Sequence, residues 1–138
     1  MRALLAGLTL LLAAALLQPA PARADEGAIR SVIESQITAF LADDGARAYS
    51  FASPGIQQMF PNADVFMSMV RRGYRPVYRP RDWSFGRLRE TAGGPVQEVA
   101  IVDEAGVSWT AIYSLEQQAD GTWRISGCRL VRRPDLSA

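Results

Sequence analysis

Val107-Ser-Trp-Thr-Ala-Ile-Tyr-Ser-Leu115 and Thr122-Trp-Arg-Ile-Ser-Gly-Cys-Arg-Leu-Val131 are two runs joined through Asp120-Gly121, and their reading decides the fold. In the first run Val107, Trp109, Ala111, Tyr113 and Leu115 alternate with Ser108, Thr110 and Ser114, the two-residue period of a half-buried strand. Asp-Gly between two such runs is a turn signal, because glycine accepts the positive φ that reversing the chain requires. The two runs are therefore expected to be neighbouring antiparallel strands with an aromatic inner face. Helices upstream would cover that face.

Working outward, Trp83 to Glu90 and Val96 to Val102 read as two further strands, turned by Thr91-Ala-Gly-Gly-Pro95 and by Asp103-Glu-Ala-Gly106. Helices come before them. From Glu26 to Ala42 the residues Ile29, Val32, Ile33, Ile37, Phe40 and Leu41 fall at the spacing of one helix face, and Asp43-Asp44-Gly45 stops it. Asp44 is expected to cap a short helix carrying Tyr49 and Phe51. Ser53-Pro54 opens another turn or two, and Asn62 caps a segment from Ala63 to Arg72 with Val65, Phe66, Met69 and Val70 as its apolar stripe. Arg71 and Arg72 sit where a helix C-terminus attracts cations, with Gly73 after them. Between Tyr74 and Trp83, Pro76 and Pro80 lack ladder donors, so the run is read as an edge or bent strand rather than a central one. The polar tail from Arg132 is expected to fray. Helices followed by four or five mostly antiparallel strands give the fold class α+β.

The N-terminus carries a different signal. Met1-Arg2 is followed by an uncharged Ala-, Leu- and Gly-rich run to Leu17, then by Gln18-Pro-Ala-Pro-Ala22-Arg-Ala24, which supplies helix breakers and an Ala-x-Ala site. Residues 1–24 are expected to be a signal peptide cleaved after Ala24, which makes the product periplasmic or secreted. Residues 25–138 then form one domain of 114 residues, enough for a single core.

Composition narrows the chemistry. All 15 basic residues are Arg and there is no His, which excludes Schiff-base lysines, histidine general bases and histidine metal ligands. Without Arg2 and Arg23 the domain carries 13 arginines against 14 acidic residues, a balance with no overall field toward nucleic acid or an anionic membrane. Neither a metal nor another cofactor is expected. Cys128 is the sole thiol, so no internal disulfide is available, and it reads as a small buried hydrophobe in a strand.

The combined pattern of Ile33-Glu-Ser-Gln36-Ile-Thr-Ala-Phe40, Ala48-Tyr-Ser-Phe51-Ala-Ser-Pro54-Gly-Ile56, Phe66-Met-Ser-Met-Val70, Tyr74-Arg-Pro-Val-Tyr78-Arg-Pro80 and Asp120-Gly-Thr-Trp-Arg-Ile125-Ser-Gly-Cys128 resembles an uncharacterised bacterial domain-of-unknown-function family. That family is in turn similar to the nuclear-transport-factor-2-like superfamily, which also contains ketosteroid isomerase. The resemblance implies a cystatin-like cone, with the helices in the concave face of a curved sheet around a pocket. It implies no activity and no functional residues.

Candidate pocket-binding residues are Tyr74, Tyr78, Arg79, Trp83, Trp109 and Tyr113. Arginine forks beside aromatic rings suit an organic anion at a pocket mouth; the same interleaving also suits a strand edge with rings in the core and arginines in water. Trp109, Tyr113 and Trp123 share a face if Leu115 lies opposite Trp123, and with Met59, Phe60, Phe66 and Met69 they either line a cavity or fill a core. No catalytic residues are assigned. The expected role is non-catalytic binding of a small apolar or anionic ligand, or of a protein partner. The alternative is an acid-base enzyme of the isomerase or dehydratase type, built from Asp82, Tyr78 and Trp83 or from Asp43 and Asp44. Ile112, Cys128 and Leu130 form an apolar patch on the other sheet face that suits a homodimer, unless a bulge at Ser126-Gly127 turns Cys128 and Leu130 inward.

Overall fold

The computed structural model describes residues 21–134, with side chains from Asp25 onward. The signal segment expected over residues 1–24 falls outside this range except for Pro21–Ala24, whose backbone continues the first helix, and the C-terminal tail falls outside it from residue 135. No described helix is long and apolar enough to cross a membrane.

Helix α1 (Pro21–Leu41) begins earlier than the apolar periodicity predicts. Its buried face holds Ile29, Ile33, Gln36, Ile37 and Phe40, each large apolar side chain there contributing about 1.5–3 kcal/mol by leaving water. Leu41, expected on that face, is 47% exposed, because one residue beyond Phe40 is about 100° further round the helix. The stop is a turn in which Asp43 N–H donates to Phe40 O (3.0 Å) and Asp44 N–H to Ala39 O (2.8 Å), with Asp43 at φ 52° in the position usually taken by glycine. Asp44 then caps α2 (Gly45–Ser50), accepting from Arg47 N–H. Ser53 caps α3 (Pro54–Met59), which buries none of its residues, and Asn62 caps α4 (Ala63–Gly73). In α4 the buried residues are Phe66, Met67 and Val70; Val65, expected among them, is 43% exposed and Met67 takes its place.

From Tyr74 to Arg81 the run is not a strand; only its last two residues, Asp82 and Trp83, are, at the start of an edge strand. Arg75–Tyr78 is a short helix, α5, with Pro76 in its first turn, where the ring's fixed φ fits a helix and its missing N–H had no intrahelical partner to lose. Pro76, Val77 and Tyr78 are buried.

Strands β1 (Asp82–Thr91), β2 (Gly94–Val102), β3 (Ser108–Gln117) and β4 (Trp123–Arg132) form a four-stranded antiparallel sheet in the order β1-β2-β3-β4. The helices pack against the face carrying Val99, Ile101, Ala111, Tyr113, Leu115 and Ile125, which with the α1 side chains makes one core. In β1 the register shifts between Phe85 and Leu88, so that Gly86 and Arg87 oppose Glu98 alone. Gln97, with no exposed surface, holds this bulge: its Nε2 donates to Gly86 O (3.0 Å), Arg87 O (3.3 Å) and Glu98 O (2.8 Å).

A second bulge decides the faces of β4. Ser114 pairs with Gly127 but Leu115 pairs with Ile125, leaving Ser126 as the extra residue. Leu115 is therefore not opposite Trp123, which pairs with Gln117. Beyond the bulge Cys128 pairs with Tyr113 and Leu130 with Ala111, on the inner face, whereas Ile112 pairs with Arg129 on the outer one. The Ile112, Cys128 and Leu130 patch expected for a homodimer is thus split between the two faces by one inserted residue. The start of β4 is covered: Ile125 N–H donates to Phe51 O and Ser53 N–H to Ile125 O, both at 2.8 Å, which seats the α2–α3 junction beside the strand.

Candidate functional site

Where α3 spans from its cap to α4 without burying a residue, a cavity of about 300 Å³ remains underneath. Gln36 and Phe40 of α1 line it, together with Phe66, Met69 and Val70 of α4, then Tyr74 and Val77. Across from these lie Tyr113 of β3 and the bulged run Ile125–Cys128 of β4. Ile56, Met59 and Phe60 complete the wall, and Met59 is 72% exposed, placing it at the rim. Tyr49 holds this wall from outside, its hydroxyl meeting Phe60 O and Gln57 O (3.1 Å) while Gln57 Nε2 donates back to Tyr49 O (3.1 Å). The bulge matters here because it sets an unpaired residue of an edge strand against the space.

No charged side chain lines the cavity, and its polar side chains are few. Gln36 Nε2 is committed to Ala48 O at 3.1 Å, which ties α1 to α2. Tyr113 is 1% exposed, and its hydroxyl is buried without a hydrogen-bond partner among the described residues. Burial above all, and then the Cys128 thiol, which lies near enough to the hydroxyl for a weak O–H···S contact outside ordinary hydrogen-bond geometry, push the Tyr113 phenol well above its ordinary value, so it is a neutral hydroxyl at any working pH. Burial likewise pushes the Cys128 thiol up to about 12, against the opposing effect of Tyr113, so it is not a nucleophile. Among the described residues no group of three or more His, Cys, Asp or Glu stands together as a metal set.

A separate polar cluster sits where α1, α4 and α5 meet. The Tyr78 hydroxyl donates to one oxygen of Asp43, and Arg79 Nη2 lies 2.6 Å from the other. Arg71 Nε donates to the Tyr78 hydroxyl at 3.2 Å, and the guanidinium groups of Arg71, Arg75 and Arg79 lie 5.6, 5.4 and 4.0 Å from the Tyr78 ring centre. Tyr78 above all, with Arg79 and Arg71, holds the Asp43 carboxyl below its ordinary value of 3.8. Arg75 pairs with Glu104 at 3.0 Å. These contacts clamp the end of α1 to α5; the arginines are occupied in structure.

The profile of a domain of unknown function, DUF4864, matches residues 22–138. The chain belongs to this family. No curated protein and no solved structure matches it.

With the family assigned, the expected site residues divide cleanly. Tyr74 and Tyr113 line the cavity, as do Met59, Phe60, Phe66 and Met69. Tyr78 and Arg79 do not; they belong to the Asp43 cluster, because the short helix turns the Tyr78 ring toward α1 and α4. Trp83 packs edge-on against Phe85 of its own strand, at 5.3 Å between ring centres. Trp109 donates from Nε1 to Asp103 Oδ2 at 2.9 Å, closing the β2–β3 turn. Neither Trp109 nor Trp123 reaches the cavity wall. Asp43, Asp44 and Asp82 are all exposed, so the acid-base arrangement has no carboxylate inside. Gln36, Ser126 and Cys128 are cavity residues that the sequence did not single out as such. The signal for Cys128 was present in the Ser126-Gly127 pair, whose bulge turns it inward.

Proposed function

We propose that this domain binds a small, neutral, apolar molecule without transforming it. The observation that carries the reading is the cavity of about 300 Å³ between α1, α3, α4 and the β3–β4 pair, whose walls are apolar and hold no charged side chain. Pockets of this size and lining are common small-molecule sites. The anionic ligand considered from the sequence is not favoured, because Arg75 and Arg79 are paired with Glu104 and Asp43 outside the cavity. An isomerase or dehydratase would need a carboxylate in the cavity, and Asp43, Asp44 and Asp82 lie exposed outside it.

The fold reading that accompanies this is the nuclear-transport-factor-2-like cone, a curved sheet closed by α1. It is supported by the bulges at Gly86-Arg87 and Ser126, since bulges bend and twist the strands that carry them. Export to the periplasm or beyond, proposed from the composition of residues 1–24, would place the site among molecules outside the cytoplasm.

The test is titration of residues 25–138 with N-phenyl-1-naphthylamine, a neutral fluorophore that brightens in apolar surroundings. Saturable brightening at one equivalent is expected, together with its loss in Met69→Trp, which fills the cavity from α4 while circular dichroism confirms the fold. Absence of saturable binding to the wild type would refute the reading.

A further inference from the structure

Gln36 sits on the buried face of α1, between Ile33 and Phe40, and is 4% exposed. A long polar side chain is rare in such a place unless its amide is used. One end is used: Nε2 donates to Ala48 O at 3.1 Å, and since a carbonyl can be met only by an N–H, this bond also fixes which way the amide faces. Oε1 is thereby turned away from α2, and no described residue donates to it. It is not sealed off either. Among the described residues the buried side-chain polar atoms that are both unpartnered and without accessible surface are Arg30 Nε, Gln97 Oε1 and the Tyr113 hydroxyl. Gln36 Oε1 is unpartnered but is not one of these, so the small accessible area that Gln36 keeps includes this oxygen. Ile33, Ile37, Ala39 and Ala48 around it are buried, and Gln36 lines the cavity, so the space onto which Oε1 opens is the cavity. Tyr74 and Ser126 also bring hydroxyls to the wall, but both are only half-buried, where water can serve them. An acceptor held so far from bulk water without a donor is costly, and native interiors rarely leave one so.

Resting on the binding role above, we infer that the ligand is an apolar molecule carrying one neutral hydrogen-bond donor, a hydroxyl in the simplest case, which it gives to Gln36 Oε1. The donor is uncharged, because no carboxylate lines the cavity to offset an ammonium group. The amide is preorganised for this: its bond to Ala48 O holds the side chain in one pose, so the ligand does not have to order it. No covalent bond is made or broken; the amide selects and orients.

The experiment is displacement of N-phenyl-1-naphthylamine by three probes of one shape, 1-tetralol, 1-tetralone and 1-aminotetralin, which bring a hydroxyl, a carbonyl and an ammonium group to the same position. The wild type should bind the alcohol about fivefold more tightly than the ketone, the net worth of one hydrogen bond, and the amine least tightly. In Gln36→Met, which keeps the length of the side chain and removes the amide, alcohol and ketone should bind alike. A measurement needing no variant accompanies it: the side-chain carbonyl carbon resonance of Gln36 should move further downfield with tetralol than with tetralone. Equal binding of alcohol and ketone by the wild type, a preference for the alcohol that survives in folded Gln36→Met, tightest binding of the amine, or no greater downfield movement with tetralol would each overturn the inference while leaving an apolar pocket in place. If the fluorophore and all three probes fail to bind, the binding role itself falls, and this inference with it.

Discussion

Replacing Tyr113 by Phe should make the unliganded domain more stable, which is the opposite of what truncating a buried side chain ordinarily does. The ring stays, and so does its burial in the core; only a hydroxyl whose sole polar contact is the Cys128 thiol, a weak acceptor, is removed. An unpaired buried hydroxyl costs about 1–3 kcal/mol. The oxygen's own packing contacts are worth a few tenths of that scale, so the net gain should be about 1 kcal/mol. For a domain of this length the unfolding entropy near the midpoint is roughly 0.24 kcal/mol/K, so the melting temperature should rise by about 4 °C. Tyr49→Phe is the matched control, because the Tyr49 hydroxyl meets the carbonyls of Gln57 and Phe60 and holds α3 in place. That variant should lose about 1 kcal/mol. Urea unfolding followed by tryptophan fluorescence gives both signs in one series. If Tyr113→Phe is destabilised as Tyr49→Phe is, the hydroxyl is well bonded after all, to the Cys128 thiol beside it, and the reasoning is wrong.

Three further outcomes follow from other parts of the fold. Gln36→Leu should lose about 1 kcal/mol in the same urea assay, since the Ala48 carbonyl would keep only the Phe51 N–H at 3.3 Å; an unchanged midpoint would show that the amide is dispensable there. Asp103 accepts from Trp109 Nε1 and from the backbone N–H groups of Val107 and Ala105, Trp109 mattering most, and these hold its carboxyl below the ordinary 3.8. A depressed folded value means that its stabilising effect is complete above 3.8 and is lost as pH falls through the lower folded value, so Asp103→Asn should flatten the acid limb of the stability curve there and leave its shape at neutral pH alone. Cys128, pushed up to about 12, should ignore Ellman's reagent in the native domain at mildly alkaline pH and react fully in urea; rapid native labelling would contradict its burial.

Much of the architecture could be read directly. Alternation located β3 and β4, and the Asp-Gly turn paired them, because period and turn chemistry are local properties. The caps at Asp44, Ser53 and Asn62 were legible for the same reason: a short oxygen-bearing side chain before a helix has one obvious employment. Tyr74–Pro80 misled because proline excludes a central strand but is equally at home in the first turn of a helix, and the choice rests on Tyr78 reaching Asp43, 35 residues earlier. The same distant partner explains why Tyr78 and Arg79 looked like pocket residues and are not. Tyr113 was legible as an inward ring, but the absence of a partner for its hydroxyl depends on what β2 and β4 place beside it. Gln97 was missed, although its place between Pro95 and Val99 in a strand of period two put it on the buried side.

The single surplus residue in β4 has a bearing on how this protein can be altered. Excising Ser126 would shorten the strand by one position and leave its faces as they are: Gly127 would still meet Ser114, Cys128 Tyr113 and Leu130 Ala111, now in regular register. Ile125, held by the α2–α3 junction, would stay where it is, and what would go is the local bend that sets Ser126 against the cavity. A residue inserted elsewhere in β4, by contrast, would turn every later side chain to the opposite face.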